Sequence, residues 1–286
     1  MRISVGLPNT IPGRPAPLIL EWARRADAGP FSSLSVLDRL VYPNVDSLIT
    51  LAAVAAVTSR VRLMTSVLLA PLHSAAQLAK QTASIDAFSN GRLTLGLGVG
   101  AREDDFIAAE RDYHPRGRRY DEQLETMHRI WAGQPFSESV GPIGPAPVQS
   151  GGPEVLIGGR SPQALQRASR WGTGYIAGGA PPAGARQGFE QVQAAWQAAG
   201  RTGTPRFVTA SYFALGDDAA ARGATYLRDY YGANSYTDSI VAGLPATAEA
   251  IKARIQAFEE VGADELTLWP TIAEIDQLDR LAELLA

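Results

Sequence analysis

The stretch Gly91–Phe106, GRLTLGLGVGAREDDF, carries the reading of the fold. Leu93, Leu95 and Leu97 alternate with Thr94, Gly96 and Gly98, and no proline, aspartate or asparagine interrupts the run. That pattern predicts a buried strand. Gly98 and Gly100 then bare the backbone at the strand's end, where it can approach another group closely. Arg102, Glu103, Asp104 and Asp105 follow at once. Strands that end in glycine and charge are where α/β proteins place their chemistry.

Working outward, strand-like and helical segments alternate along the whole chain. Strands are predicted at Arg2–Leu7, Phe31–Leu37, Val61–Leu69, Arg92–Gly98, Glu154–Gly158, Gly174–Ala177, Arg206–Leu215 and Glu265–Trp269. Amphipathic helices are predicted at Leu18–Ala28, Asp46–Ser59, Ala75–Phe88, Gly117–Ala132, Gln163–Trp171, Gln187–Ala199, Asp217–Tyr231, Thr247–Val261 and Ile272–Leu285. Eight evenly spaced strands, each followed by a helix, predict a (β/α)8 TIM barrel over a doubly wound open sheet. Residues 1–286 are expected to form a single domain, for no break in composition marks a second one. Two irregular stretches are expected to be loops: Gln134–Pro153, an insertion before the fifth strand, and the shorter Gly178–Gly188. Either a lid or a solvated insertion fits such composition.

Composition narrows the class. A chain of 286 residues buries roughly three quarters of its unfolded surface, so no covalent staple is required. The absence of cysteine removes disulfides, thiolate metal sites and cysteine nucleophiles together. A net charge of -3 without a basic stripe argues against a nucleic-acid partner. The first residues, MRISVGLP, read as a strand, and no apolar run approaches the ~20 residues that span a bilayer. The expectation is a soluble, cytoplasmic protein without a membrane partner.

The working face of such a barrel lies at the C-terminal ends of its strands. The second strand delivers Asp38 and Arg39 there, and the third carries Thr65, Ser66 and Val67. The fifth ends in Gly158-Gly159-Arg160-Ser161 and the sixth in Gly178-Gly179. In VLIGGRSPQAL, Ser161 reads as an N-cap and Pro162 as the first helical residue. Free N–H groups, a helix dipole and an arginine suit a phosphate, and ordinary helix capping explains the same residues. Gly98 and Gly100 do not form a dinucleotide fingerprint, since Glu103 stands where the third glycine belongs. Asp38 with Glu103–Asp105 suggests either an acid/base set or a solvated helix start. No histidine joins the strand-end clusters, so no metal site is expected. His128 reads as structural, His73 as part of a helix cap, and His114 as the one histidine placed near the working face. Tyr42, Tyr113, Tyr212 and Tyr236 are further candidates for the pocket lining, or for packing.

Taken in order, these segments resemble the luciferase-like monooxygenase superfamily, above all its branch that uses coenzyme F420. The similarity runs through DRLVYP at Asp38–Pro43, Arg62–Pro71, LAKQ at Leu78–Gln81, Gly91–Phe106, RGRR at Arg116–Arg119, LIGGRSP and GYIAGGAPP. The resemblance implies a barrel with a cis peptide at Ser66–Val67 against which a flavin or deazaflavin ring rests. It implies a cofactor site of Ser66, Val67, Gly98, Gly100, Ala101, Gly158, Gly159, Arg160, Ser161, Gly178 and Gly179. Asp38 and Arg39 would sit near the ring's reactive edge, and with His114 they are the catalytic candidates. The implied reaction is hydride transfer between F420 and a small organic substrate. The alternative is an FMNH2-dependent monooxygenase, served by a separate flavin reductase. The chain departs from the family where Arg39, Val99 and Ala101 stand, so the family's proton relay and FMN-phosphate arginine do not carry over. A homodimer is also implied. Two other classes remain open on the residues: a barrel hydrolase or lyase, and a cofactor-binding protein without turnover.

Overall fold

A computed structural model describes residues 1–286. Its first half runs β1 (Arg2–Gly6), α1 (Ala16–Ala28), β2 (Ser33–Val36), α2 (Ser47–Ala55), β3 (Arg62–Leu69), α3 (Ala75–Phe88), β4 (Leu93–Gly98), α4 (Glu103–Ala108) and α5 (Arg116–Trp131). A small hairpin follows, β5 (Pro135–Ser137) with β6 (Val140–Pro142). The second half runs β7 (Glu154–Gly158), α6 (Pro162–Trp171), β8 (Gly174–Ile176), α7 (Pro182–Ala198), β9 (Arg206–Phe213) and α8 (Ala219–Tyr231). It ends with α9 (Ser235–Ala242), α10 (Ala248–Glu260), β10 (Glu265–Pro270) and α11 (Ile275–Leu285). No helix is long and apolar enough to cross a membrane.

Eight strands pair in parallel in the order β1-β10-β9-β8-β7-β4-β3-β2, and β2 pairs back onto β1. The expected (β/α)8 barrel is therefore the fold. Its period-2 strands divide two cores. One face packs against the helices in a cluster of 49 buried apolar residues. The other fills the barrel with Met64, Leu156, Ile176 and Val208, under the partly buried Val67. β4 contributes no side chain to that layer at Gly96, where a Cβ would lie 2.1 Å from the Thr65 carbonyl oxygen. Gly96 lets the interior close.

Local signals explain most boundaries. Asp46, Ser74, Ser161 and Thr247 each accept a hydrogen bond from the backbone N–H three residues on, capping α2, α3, α6 and α10. Ser74, not His73, is thus the cap of α3. Gly178–Gly188 is less loop than expected, because the Pro181-Pro182 pair starts α7 at Pro182. Gln134–Pro153 lies between a helix and the next strand, which puts it at the N-terminal face of the barrel, opposite the mouth. It cannot serve as a lid there. The buried Asp86 carboxylate holds it, accepting from the N–H groups of Val148 (2.8 Å) and Gln149 (3.0 Å). The short α4 starts where Glu103–Asp105 offered a helix start, while α9 carries no such signal and was missed.

The N-terminal face is closed by charge. Arg206, at the start of β9, donates to Glu265 on the neighbouring β10 and, across β8, to Glu154 on β7, and Ser32 and Ser33 hydroxyls donate to Glu265 as well. Glu265 is only 1% exposed. Burial alone would raise its pKa; the Arg206 guanidinium and the two hydroxyls outweigh burial and hold it below the usual carboxylate value. A depressed folded-state pKa adds stability above the unfolded pKa of about 4.3, and that stability is lost as pH falls through the folded value. Glu265→Gln should therefore cost about 3–5 kcal/mol at neutral pH, leaving Arg206 under-neutralised. Urea unfolding from pH 7 to pH 3 should show that gap narrowing with acid. A gap independent of pH would contradict the assignment.

Candidate functional site

At the mouth of the barrel β3 is irregular. Its register against β4 shifts between Ser66 and Leu68, and the Ser66–Val67 peptide is cis, as the resemblance implied. Val67 projects between the ends of β4 and β7. A Cβ on Gly98 would stand 2.8 Å from Val67 Cγ2, and one on Gly158 would stand 2.6 Å from Cγ1. Both glycines are thus required by Val67. The group that the Gly98 backbone approaches is a side chain of the protein itself. Gly100 is glycine for another reason, a positive φ of 78°.

From this bulge a cavity of about 400 Å³ runs past Gly98–Ala101 to Gly158–Arg160 and Gly178–Gly179. It gathers ten of the eleven expected cofactor residues; Ser161 lies just behind it. The Ser161 hydroxyl accepts from Ala164 N–H (3.2 Å), so its side chain is spent as the cap of α6. The backbone N–H groups of Gly159, Arg160, Ser161, Gly178 and Gly179 donate to no other group of the protein. Arg160 is exposed and enters no ion pair. Gly178 has a φ of 63° and open space where a Cβ would project. Five free amides, a helix start and an unpaired guanidinium lie together here, groups of the kind that can hold an anion.

Asp38 and Arg39 line an adjoining cavity of about 200 Å³ that shares Ser66 and Val67. Both are engaged in scaffolding. Asp38 accepts from Leu69 N–H (2.9 Å) and Ser47 Oγ (2.8 Å), tying the ends of β2 and β3 to the start of α2. Its burial raises the carboxyl pKa against the pull of those bonds. Arg39 donates to the Tyr230 carbonyl (3.1 Å) and stands 5.0 Å from the Tyr42 ring centre. Arg102 donates to the same carbonyl (2.9 Å). Two arginines thus clamp the C-terminus of α8 over the barrel, where the helix dipole favours positive charge.

The carboxylates after β4 separate. Glu103 and Asp104 are exposed in the first turn of α4, as a solvated helix start requires. Asp105 is fully buried and accepts from the N–H groups of Leu40 (3.0 Å) and Val41 (2.7 Å). It fastens the β2–α2 loop. The set does not act as one unit in this structure: Asp38 and Asp105 are bound to backbone amides, Asp104 pairs with Arg39 (3.5 Å), and Glu103 faces solvent. No three His, Asp or Glu side chains converge as metal ligands. His114 is exposed, lines none of these cavities, and is fixed only through its own N–H on Asp112 (3.0 Å).

Above Ser66 lies a third space, about 200 Å³, walled by Leu37, Tyr212, Tyr231, Tyr236 and Trp269. Tyr212 and Tyr231 share a hydrogen bond between hydroxyls (2.8 Å). Burial raises both phenol pKa values, so the pair stays protonated at neutral pH. Tyr212 and Tyr236 were expected here. Tyr42 and Tyr113 instead pack outside: Tyr42 donates to Asp229, and Tyr113 to the Ala101 carbonyl. Tyr230, Tyr231 and Trp269 were missed, although the aromatic run DYY at the end of α8 is a visible signal.

The family profile described as luciferase-like monooxygenase matches residues 1–284. The chain belongs to that family. It is an oxidoreductase of the luciferase-like class. A protein of Mycobacterium tuberculosis without an assigned function is 28% identical over 210 residues, 63% of this chain and 72% of its own. An F420-dependent secondary alcohol dehydrogenase, solved with an F420–acetone adduct, superposes with a TM-score of 0.81 at 16% identity, over 99% of this chain and 97% of its own. The oxygenating constituent of 3,6-diketocamphane monooxygenase from Pseudomonas putida, solved with FMN, gives 0.72 at 18% identity, over 94% and 91%.

The Val67 wedge is open to a direct test. Gly158→Ala should weaken binding of a flavin-type cofactor at least about tenfold by displacing Val67. Val67→Ala added to it should recover most of that loss, a coupling of about 1 kcal/mol or more in a double-mutant cycle. Strictly additive effects in a fluorescence titration would show that Gly158 serves something other than Val67.

Proposed function

We propose that the chain is a coenzyme F420-dependent oxidoreductase that transfers hydride to or from a small organic substrate. The observation that carries this reading is the continuous cavity between the Ser66–Val67 bulge and the amides of Gly159–Ser161 and Gly178–Gly179. A flat ring would lie at the first end and a phosphate at the second. The cofactor, when bound, supplies the two-electron chemistry; the protein supplies position, dryness and proton control.

Ser66 and Val67 would form the ring's support, with the small Ser66 side chain leaving the backbone accessible. Gly159, Arg160, Ser161, Gly178 and Gly179 would hold the phosphate through N–H groups and one guanidinium. Leu37, Tyr231 and Trp269 wall the space beside the ring and exclude water from the reacting centre. The Tyr212–Tyr231 hydroxyl pair lines that space, and it would donate to an oxygen of the substrate as charge develops there. This replaces Asp38, Arg39 and His114 as the proton-handling groups. The first two hold the walls, and the third lies elsewhere.

The positive groups support F420 over FMN. Arg102 and Arg116, the arginines that flank the β4 loop, are turned to the carbonyls of Tyr230 and Gly100. Arg160 is left as the single guanidinium at the phosphate end. Titration of the purified chain against F420 and FMN is the test. F420 should bind with a Kd below about 100 μM, and Arg160→Ala should weaken it about tenfold while leaving a phosphate-free deazaflavin unaffected. Failure of both cofactors to bind in that range would overturn the reading, and FMN binding alone would replace it with the monooxygenase alternative.

A further inference from the structure

Beyond the phosphate cradle the molecule carries another cavity, of about 400 Å³, roofed by α9 and bounded by α10. Arg160 and Tyr236 line both spaces, so the two adjoin. Its charge is one-sided. Arg160 and Arg254 both face it, and no aspartate or glutamate is among its walls. Arg254 forms no ion pair; its sole protein acceptor is the Gly243 carbonyl at the end of α9 (2.8 Å). Burial lowers its pKa and no acid offsets that effect. Arg160 is exposed at the rim, but Arg254 is half-buried beside the cavity without a counter-charge, which costs free energy unless an anion completes the site.

The contrast elsewhere on the same face is instructive. The groove of about 610 Å³ beside α8 also contains two arginines. There Arg222 is paired with Glu274, and Asp229 shares the wall. Charge is balanced within the protein, and no ligand is called for. In the cavity under α9 it is not balanced.

We infer that the cavity under α9 is a second anion site, which takes a carboxylate carried on the cofactor beyond its phosphate. The inference builds on the proposed function. FMN ends at its phosphate and would leave the cavity empty, whereas F420 continues past its phosphate into a chain of glutamates. The same residues could also take a carboxylate of the substrate, since Tyr212 and Ser211 join this cavity to the space above Ser66.

The test uses the full chain and three ligands: F420, its analogue truncated after the phosphate, and free γ-glutamyl-glutamate. In the unaltered protein F420 should bind about tenfold tighter than the truncated analogue, and Arg254→Met should erase that difference while leaving the analogue's Kd unchanged. Arg254→Lys, which keeps the charge, should restore part of it. Equal affinity for the two cofactor forms, or a loss in Arg254→Met that is the same for both, would overturn the inference. The free dipeptide separates the sources. If it binds to the complex with the truncated analogue and is excluded by F420, the tail occupies the site; if it binds both complexes equally, the site belongs to a substrate carboxylate and the tail assignment is wrong. Should no cofactor form bind at all, the proposed function fails by itself. The dipeptide's binding to the unliganded chain, lost in Arg254→Met, would still establish the anion site, and its failure to bind would remove that too.

Discussion

The mouth of this barrel is organised around Val67. One β-branched side chain sits where β3 departs from its register, and it occupies the space that side chains on β4 and β7 would otherwise fill. Three neighbouring strands therefore end in a single shape: bulge, glycine, glycine. Because those glycines carry nothing above Val67, the mouth is left as an open shelf instead of a filled core. Every space at the site borders that shelf. The long cavity, the cavity of Asp38 and Arg39, and the aromatic space all include Ser66.

Charge around the shelf is used mainly for construction. Asp38 and Asp105 neutralise loop amides, and Arg39 and Arg102 converge on the final turn of α8. These bonds fix the aromatic wall that α8 contributes. Charged-group hydrogen bonds of this kind are each worth roughly 1.5–3 kcal/mol. What remains unpaired lies at the other end, at Arg160 and Arg254. The polarity of the site follows from that division: a dry, neutral, phenol-lined region near Ser66 and a cationic region near the strand ends of β7 and β8.

Much of this was legible in the sequence. Strand periodicity gave all eight barrel strands to within a few residues, because buried parallel strands have few ways to look like anything else. GGRSP announced a helix start with free amides, and it forms one. The roles of charged residues were far less legible. Asp105 reads the same as Glu103 and Asp104 in a linear string, yet only Asp105 turns inward, since it alone meets two unsatisfied amides from a segment 64 residues away. Arg254 sits on an ordinary amphipathic helix, and nothing local marks it. Gly98 and Gly158 were recognised as important, but the reason, Val67, lies on a third strand. Long-range partners, not local propensity, decide such cases.

The central claim is that one ligand spans the shelf, ring at Ser66–Val67 and phosphate at the β7 and β8 ends. A crystal structure of the chain with bound F420 measures this most directly. The account predicts the phosphate oxygens within hydrogen-bond distance of the Gly159–Ser161 amides and the deazaflavin ring against the Ser66–Val67 peptide. A phosphate bound elsewhere, or a ring standing away from that peptide, would contradict it.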